Sequence, residues 1–143
     1  MFLQIKNTTI GYQKPLISEV NASLDFGDVC LLIGNNGVGK TTLIKSILNQ
    51  IPTLKGDIFI NDKNVKKLTD KEIAEQIAVV FSKAQIPANY TTEDLISLGK
   101  FIHLPYYYKL EKEHLEDVNN IISQLKLEEY RTASLQKLSD GNL

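Results

Sequence analysis

Gly34-Asn35-Asn36-Gly37-Val38-Gly39-Lys40-Thr41-Thr42 decides the reading of this chain. It fits the phosphate-loop pattern G-x-x-x-x-G-K-[ST] at every fixed position. Its flanks suit the same chemistry. Val29-Cys30-Leu31-Leu32-Ile33 before it is an unbroken apolar run, which predicts a parallel strand covered on both faces. Leu43, Ile44, Ile47, Leu48 and Ile51 after it fall on one face of a helix. Glycines at 34, 37 and 39 let the backbone curl tightly around phosphate oxygens. The loop N–H groups then form an anion nest, and the following helix points its positive end at the same place. Lys40 is placed for the β- and γ-phosphates, and the Thr41 hydroxyl for Mg²⁺. The competing reading is a glycine-rich turn that merely joins strand to helix.

Upstream, residues 2–10 and 17–26 alternate loosely and predict two antiparallel strands, with Gly11 and Tyr12 in the turn between them. Downstream, Ile51-Pro52 should end the helix, and Lys55-Gly56-Asp57 leads into a short strand, Ile58–Ile60. Thr69-Asp70-Lys71-Glu72 reads as a capping box, and Ile77–Phe81 as a second buried parallel strand. From about residue 84 the pattern turns helical. Thr91–Asp94 can cap a helix that stops at Gly99, and residues 111–125 form an amphipathic helix with Leu115, Val118, Ile122 and Leu125 on one face.

The 143 residues suffice for one domain with a core, and 43% hydrophobic with 23% charged content is ordinary for a globular protein. A net charge of −1 removes any general electrostatic case for nucleic-acid binding. Cys30, the single cysteine, is expected as a small core residue. No apolar run approaches the roughly 20 residues of a membrane helix, so any membrane association should come through a partner. The N-terminal Met1–Lys6 lacks the apolar region of a signal peptide. His103 and His114 are isolated and suggest no metal site. Phe101, Tyr106, Tyr107 and Tyr108 suit either a partner interface or local packing of a long loop.

The tail narrows the reading. Leu138-Ser139-Asp140-Gly141-Asn142 resembles the LSGGQ signature of ABC transporter ATPases, with Asp for the first Gly and Asn for Gln. It falls about 100 residues after the phosphate loop, as in that family. Tyr12 sits where the family places an aromatic that stacks on adenine, and the loop resembles its GxNGxGKST wording. The stretch Thr91–His103 resembles iron-siderophore, haem and cobalamin importers.

The resemblance implies an α/β P-loop NTPase core of ABC type, with an antiparallel β subdomain and a helical subdomain. Residues 1–83 would form the core with its β subdomain, and 84–143 the helical subdomain ending in the signature. ATP and Mg²⁺ are the implied cofactors. A second ATPase subunit in a head-to-tail dimer and transmembrane permease subunits are the implied partners, at the inner face of the cell membrane. Ser139, Asp140 and Gly141 would meet the γ-phosphate of the opposite subunit. The Q-loop position falls on Ser82, with Gln85 three residues on. The family's Walker B strand, catalytic Glu and switch His are expected after the signature, so the chain reads as the N-terminal part of an ABC ATPase, inactive in hydrolysis by itself. The alternatives are a non-catalytic, truncated ATP-binding or interaction module and a soluble ABC-type ATPase acting on nucleic acid or ribosomes.

Overall fold

The computed structural model describes residues 1–80, 89–101 and 112–138, which fall into two compact units, Met1–Ala78 and Val79–Leu143. The first is built on a four-stranded antiparallel sheet. β1 (Leu3–Gly11) forms a hairpin with β2 (Pro15–Leu24), β3 (Lys55–Ile60) pairs with the other edge of β1, and the two-residue β4 (Lys63–Asn64) closes the order β2-β1-β3-β4.

A bulge sets which residues face inward. Leu3 pairs with Leu24 and Ile5 with Ala22, but the register then slips, so that Thr8 opposes Val20 and Ile10 opposes Ile17. Asn7 and Glu19, at φ 45° and 57°, take the left-handed conformation that absorbs the slip. Asn21 fixes it: its Oδ1 accepts the Asn7 N–H at 2.9 Å and its Nδ2 donates to Asn7 Oδ1 at 3.0 Å. Leu3, Ile5, Thr8 and Ile10 are therefore all buried, although 5 and 8 are three apart. Without the bulge, strict alternation would turn Thr8 and Ile10 to the opposite face from Ile5. Asn61 and Asp62, both at positive φ, make the tight β3–β4 turn.

The core joins Ile5, Ile10, Ile58 and Ile60 of the sheet to Leu43 and Leu48 beside α1 (Lys40–Ile47), and to Val65, Leu68 and Ile73 around α2 (Asp70–Ala74). Each buried aliphatic contributes on the order of 1.5–3 kcal/mol. The capping box opens α2: Thr69 Oγ1 accepts the Glu72 N–H at 3.2 Å, and Glu72 Oε2 accepts the Thr69 N–H at 2.8 Å. α1 ends before Ile51-Pro52. Asn49, at φ 56°, stops it, with Gln50 N–H donating to Lys45 O at 2.8 Å and Asn49 N–H to Ser46 O at 3.1 Å.

In the second unit, α3 (Thr92–Leu98) opens with a capping box of Thr91 and Asp94, and α4 (Lys112–Gln124) lies beside it. Arg131 donates to Glu93 through Nε at 2.9 Å and Nη2 at 2.5 Å, and Lys100 pairs with Asp117. A short bridge joins Thr91 to Ser134. The buried stripe of α4 is Val118 and Ile122; Leu115 and Leu125, expected on it, are 41% and 61% exposed. Gly99 ends α3 without a left-handed cap, its N–H bonding back to Ile96 O.

Both parallel-strand expectations are corrected. Val29–Ile33 and residues 77–80 join no ladder; Phe81 lies outside the described residues. Val29, Leu31, Ile33 and Val80 are 98, 79, 80 and 98% exposed, and Cys30 is exposed rather than in a core. The physical reason is that a parallel strand exists only through neighbours that take up its N–H and C=O groups and cover its faces. Among the described residues no segment does so.

Candidate functional site

The phosphate loop lies between the irregular Val29–Ile33 segment and α1. Val38 N–H turns back to Asn35 O at 3.4 Å, and Gly37 and Gly39 sit at φ 82° and 109°. Gly39 is the N-cap of α1, and Leu43 N–H closes the first helical bond to its carbonyl at 2.8 Å. At φ 109°, a residue with a β-carbon would be strained.

Two features make the helix start receptive to an anion. No side chain caps it, and no acidic residue lies in its first turn. The first-turn N–H groups thus keep their hydrogen-bonding capacity, and the helix dipole adds partial positive charge. Among the described residues, the α2 and α3 N-termini are already served by carboxylates, Glu72 at α2 and Asp94 at α3.

Lys40 folds back along the loop. Its Nζ donates to Gly34 O at 2.6 Å and Asn35 O at 2.8 Å. An ammonium has three donors, so a third remains for an oxyanion beside the loop. Thr41 is exposed at the helix start, where its hydroxyl can ligate a metal that also holds phosphate oxygens; Thr42 is turned inward, 8% exposed. This donor set fits a Mg²⁺-bound polyphosphate. Among the described residues, no cluster of three or more His, Cys, Asp or Glu could hold a metal without such a ligand.

Tyr12 occupies the β1–β2 turn with 67% of its surface exposed, a ring free to stack. The structure also brings to the loop two residues that the sequence reading passed over. Leu16 and Ile17 of β2 pack against the Gly39 position. Strand alternation counted from Val20 puts Leu16 and Ile17 on opposite faces, so it does not bring the two together at the loop.

Ser82, Gln85, His103, Tyr106, Tyr107, Tyr108, Ser139, Asp140 and Gly141 lie outside the described residues. Phe101 is described and 45% exposed; with Tyr90, Glu93 and Leu98 it lines a groove of about 540 Å³. No helix among the described residues is long and apolar enough to cross a membrane.

Several carboxylates away from the loop are held below their usual range. The Asn64 amide and then Lys66 do this to Asp57, the Thr69 backbone N–H to Glu72, and the Arg131 guanidinium to Glu93. They are structural charges, already committed to caps and ion pairs.

Comparison with known proteins agrees with this geometry. Residues 17–143 match the family model described as ABC transporter. The iron(3+)-hydroxamate import ATP-binding protein FhuC of Bacillus subtilis is 27% identical over 140 residues, 97% of this chain and 52% of that protein. The ferric enterobactin transport ATP-binding protein FepC of Escherichia coli is 25% identical, again over 97% of this chain and 52% of the relative. The chain thus spans about half the length of these curated relatives. Its fold matches the dimeric ATP-binding cassette MJ0796, solved with ADP and Pi, at a TM-score of 0.78 and 19% identity, over 98% of this chain and 64% of that one.

Proposed function

The chain belongs to the ABC transporter family, whose model its residues 17–143 match, and from that premise we propose that it binds Mg-ATP as the nucleotide-holding part of an importer ATPase. The observation that carries this reading is the α1 N-terminus: an uncapped, acid-free helix start behind two left-handed glycines, with Lys40 lying along the loop. It is an α/β P-loop core of ABC type with an antiparallel β subdomain and a helical part.

The roles follow from the chemistry of each group. Backbone N–H groups from Gly34 to Thr42 surround the β- and γ-phosphates. Lys40, held on the loop carbonyls of Gly34 and Asn35, would give its third donor to a phosphate oxygen, and the Thr41 hydroxyl would help to hold Mg²⁺. Mg²⁺ supplies charge neutralisation across the phosphates. Tyr12 stacks on adenine. Lys40 and Thr41 bind charge, and neither orients an attacking water, so this chain holds the nucleotide and turns it over slowly.

In the assembled importer, Ser139, Asp140 and Gly141 face the nucleotide of a second subunit, and Ser82 takes the Q-loop place. The exposed Phe101 groove is where a permease subunit rests, which would hold the protein at the inner face of the membrane. The relatives' printed roles in hydroxamate and enterobactin transport support a solute of the iron-siderophore, haem or cobalamin kind.

The test is a calorimetric titration with Mg-ATP and with AMP, paired with phosphate-release measurements. Binding of the triphosphate at least about tenfold more tightly than AMP, a difference of about 1.4 kcal/mol, is the expected result. Equal affinity for both would move the site away from the phosphate loop. Sustained phosphate release abolished by Lys40→Ala would contradict the assignment of slow turnover.

A further inference from the structure

Gly39 is more than a conformational requirement of the loop. A β-carbon there would sit 2.9 Å from Ile17 Cδ1, 3.0 Å from Ile17 Cγ1 and 3.0 Å from Leu16 Cδ2. Those side chains lie directly against the residue that starts α1 and precedes Lys40. Ile17 is anchored from behind, paired with the fully buried Ile10 and packed on the core. Leu16 remains 47% exposed, outside the core cluster. On the other side of the loop the chain gives little hold, since Val29, Leu31 and Ile33 are largely exposed.

The same hairpin carries Tyr12. Its turn is tightly closed: Gly11 pairs with Pro15, and a β-carbon at position 11 would lie 2.0 Å from Lys14 O. One short element therefore bears both the exposed ring and the side chains that press on the phosphate loop.

We propose that Leu16 and Ile17 are positioning residues for phosphate binding, acting through Gly39 to hold the loop and Lys40 in the binding shape. A loop held in place beforehand does not have to be ordered when its ligand arrives, and that saved cost appears as affinity. The consequence is specific. The buttress serves the phosphates whether or not a base is attached, whereas Tyr12 serves only the base. This inference rests on the nucleotide-site reading of the loop.

The experiment separates the two. Inorganic tripolyphosphate with Mg²⁺, which has phosphates and no base, is titrated beside Mg-ATP into the wild-type chain and into Leu16→Ala, Ile17→Ala, Ile17→Val and Tyr12→Ala, with thermal melting of each. Leu16→Ala and Ile17→Ala should weaken both ligands by a similar factor, about tenfold. Ile17→Val should restore most of the affinity, and Tyr12→Ala should weaken ATP alone. Leu16 is outside the core cluster, so Leu16→Ala should melt as wild type does, and it decides the matter if Ile17→Ala fails to fold. Loss of ATP affinity in Leu16→Ala with tripolyphosphate unaffected would overturn the proposal, because Leu16 would then touch the nucleoside directly. Unchanged binding of both ligands in Leu16→Ala would overturn it as well. A wild-type chain that binds neither ligand would remove the nucleotide-site reading itself, and the buttress with it.

Discussion

Replacing Gly39 by Ala should damage nucleotide binding far more than replacing Gly37 by Ala, although both glycines sit at positive φ, 109° and 82°. An L-residue in the left-handed region costs about 1–2 kcal/mol, a cost both variants share. Position 37 has nothing within 4 Å of a new β-carbon, so the cost ends there. Position 39 meets Ile17 and Leu16 at 2.9–3.0 Å, well inside ordinary contact. The atoms met there are the outer carbons of two side chains that can yield, so overpacking adds about 1 kcal/mol, the low end of its range. The totals are about 1–2 kcal/mol for Gly37→Ala and about 2–3 kcal/mol for Gly39→Ala. At about 1.4 kcal/mol per tenfold, that is roughly 5- to 30-fold against 30-fold or more in affinity, if the loop absorbs the strain by moving. If the fold absorbs it instead, the melting temperature drops. Calorimetry with Mg-ATP and thermal melting on the same samples account for both routes. Gly39→Ala binding Mg-ATP within twofold of wild type, at unchanged stability, would refute the reasoning. So would a larger combined loss in Gly37→Ala.

Ile58→Ala, at a fully buried position shared by β3 and the core, should lower the unfolding free energy of the first unit by about 2–5 kcal/mol in urea titrations. Thr91→Ala removes the side chain that opens α3 and should cost about 1 kcal/mol, with the loss reported by urea melts of the helical signal. Acid should destabilise the chain in a defined direction. Asp57, Glu72, Glu93 and Asp94 are all held below the ordinary values of 3.8 for Asp and 4.5 for Glu. Their ionised forms favour the folded state, so this contribution is complete above those values and is lost as pH falls through the lower folded ones. Urea midpoints should decline below about pH 4.5; a rise on acidification would contradict the assigned partners.

Local chemistry made part of this structure legible from sequence. The capping boxes at Thr69 and Thr91 need only residues three apart, and both are present as read. The turn at Tyr12, the strands around it and the helix after Lys40 likewise follow from short-range pattern. What could not be read was anything set by distant partners. The apolar runs at Val29–Ile33 and Ile77–Val80 have the composition of covered strands, but composition supplies no neighbour, and they are irregular here. Spacing predicts Leu115 on the packed face of α4, yet burial falls on Val118 and Ile122. At the site, the motif located the loop and Lys40. The approach of Leu16 and Ile17 to Gly39 is a long-range contact, and the register slip at Asn7 and Glu19 is set across strands, so neither leaves a periodic trace.

The central claim is that Lys40 and the α1 N-terminus form a phosphate cradle in this chain. Titration of Mg-ATP into the wild-type protein and into Lys40→Ala tests it most directly. Losing a charge-assisted hydrogen bond to phosphate costs about 1.5–3 kcal/mol, so the variant should bind at least about tenfold more weakly while melting as a folded protein. Equal affinity in the two would place the nucleotide elsewhere and contradict the account.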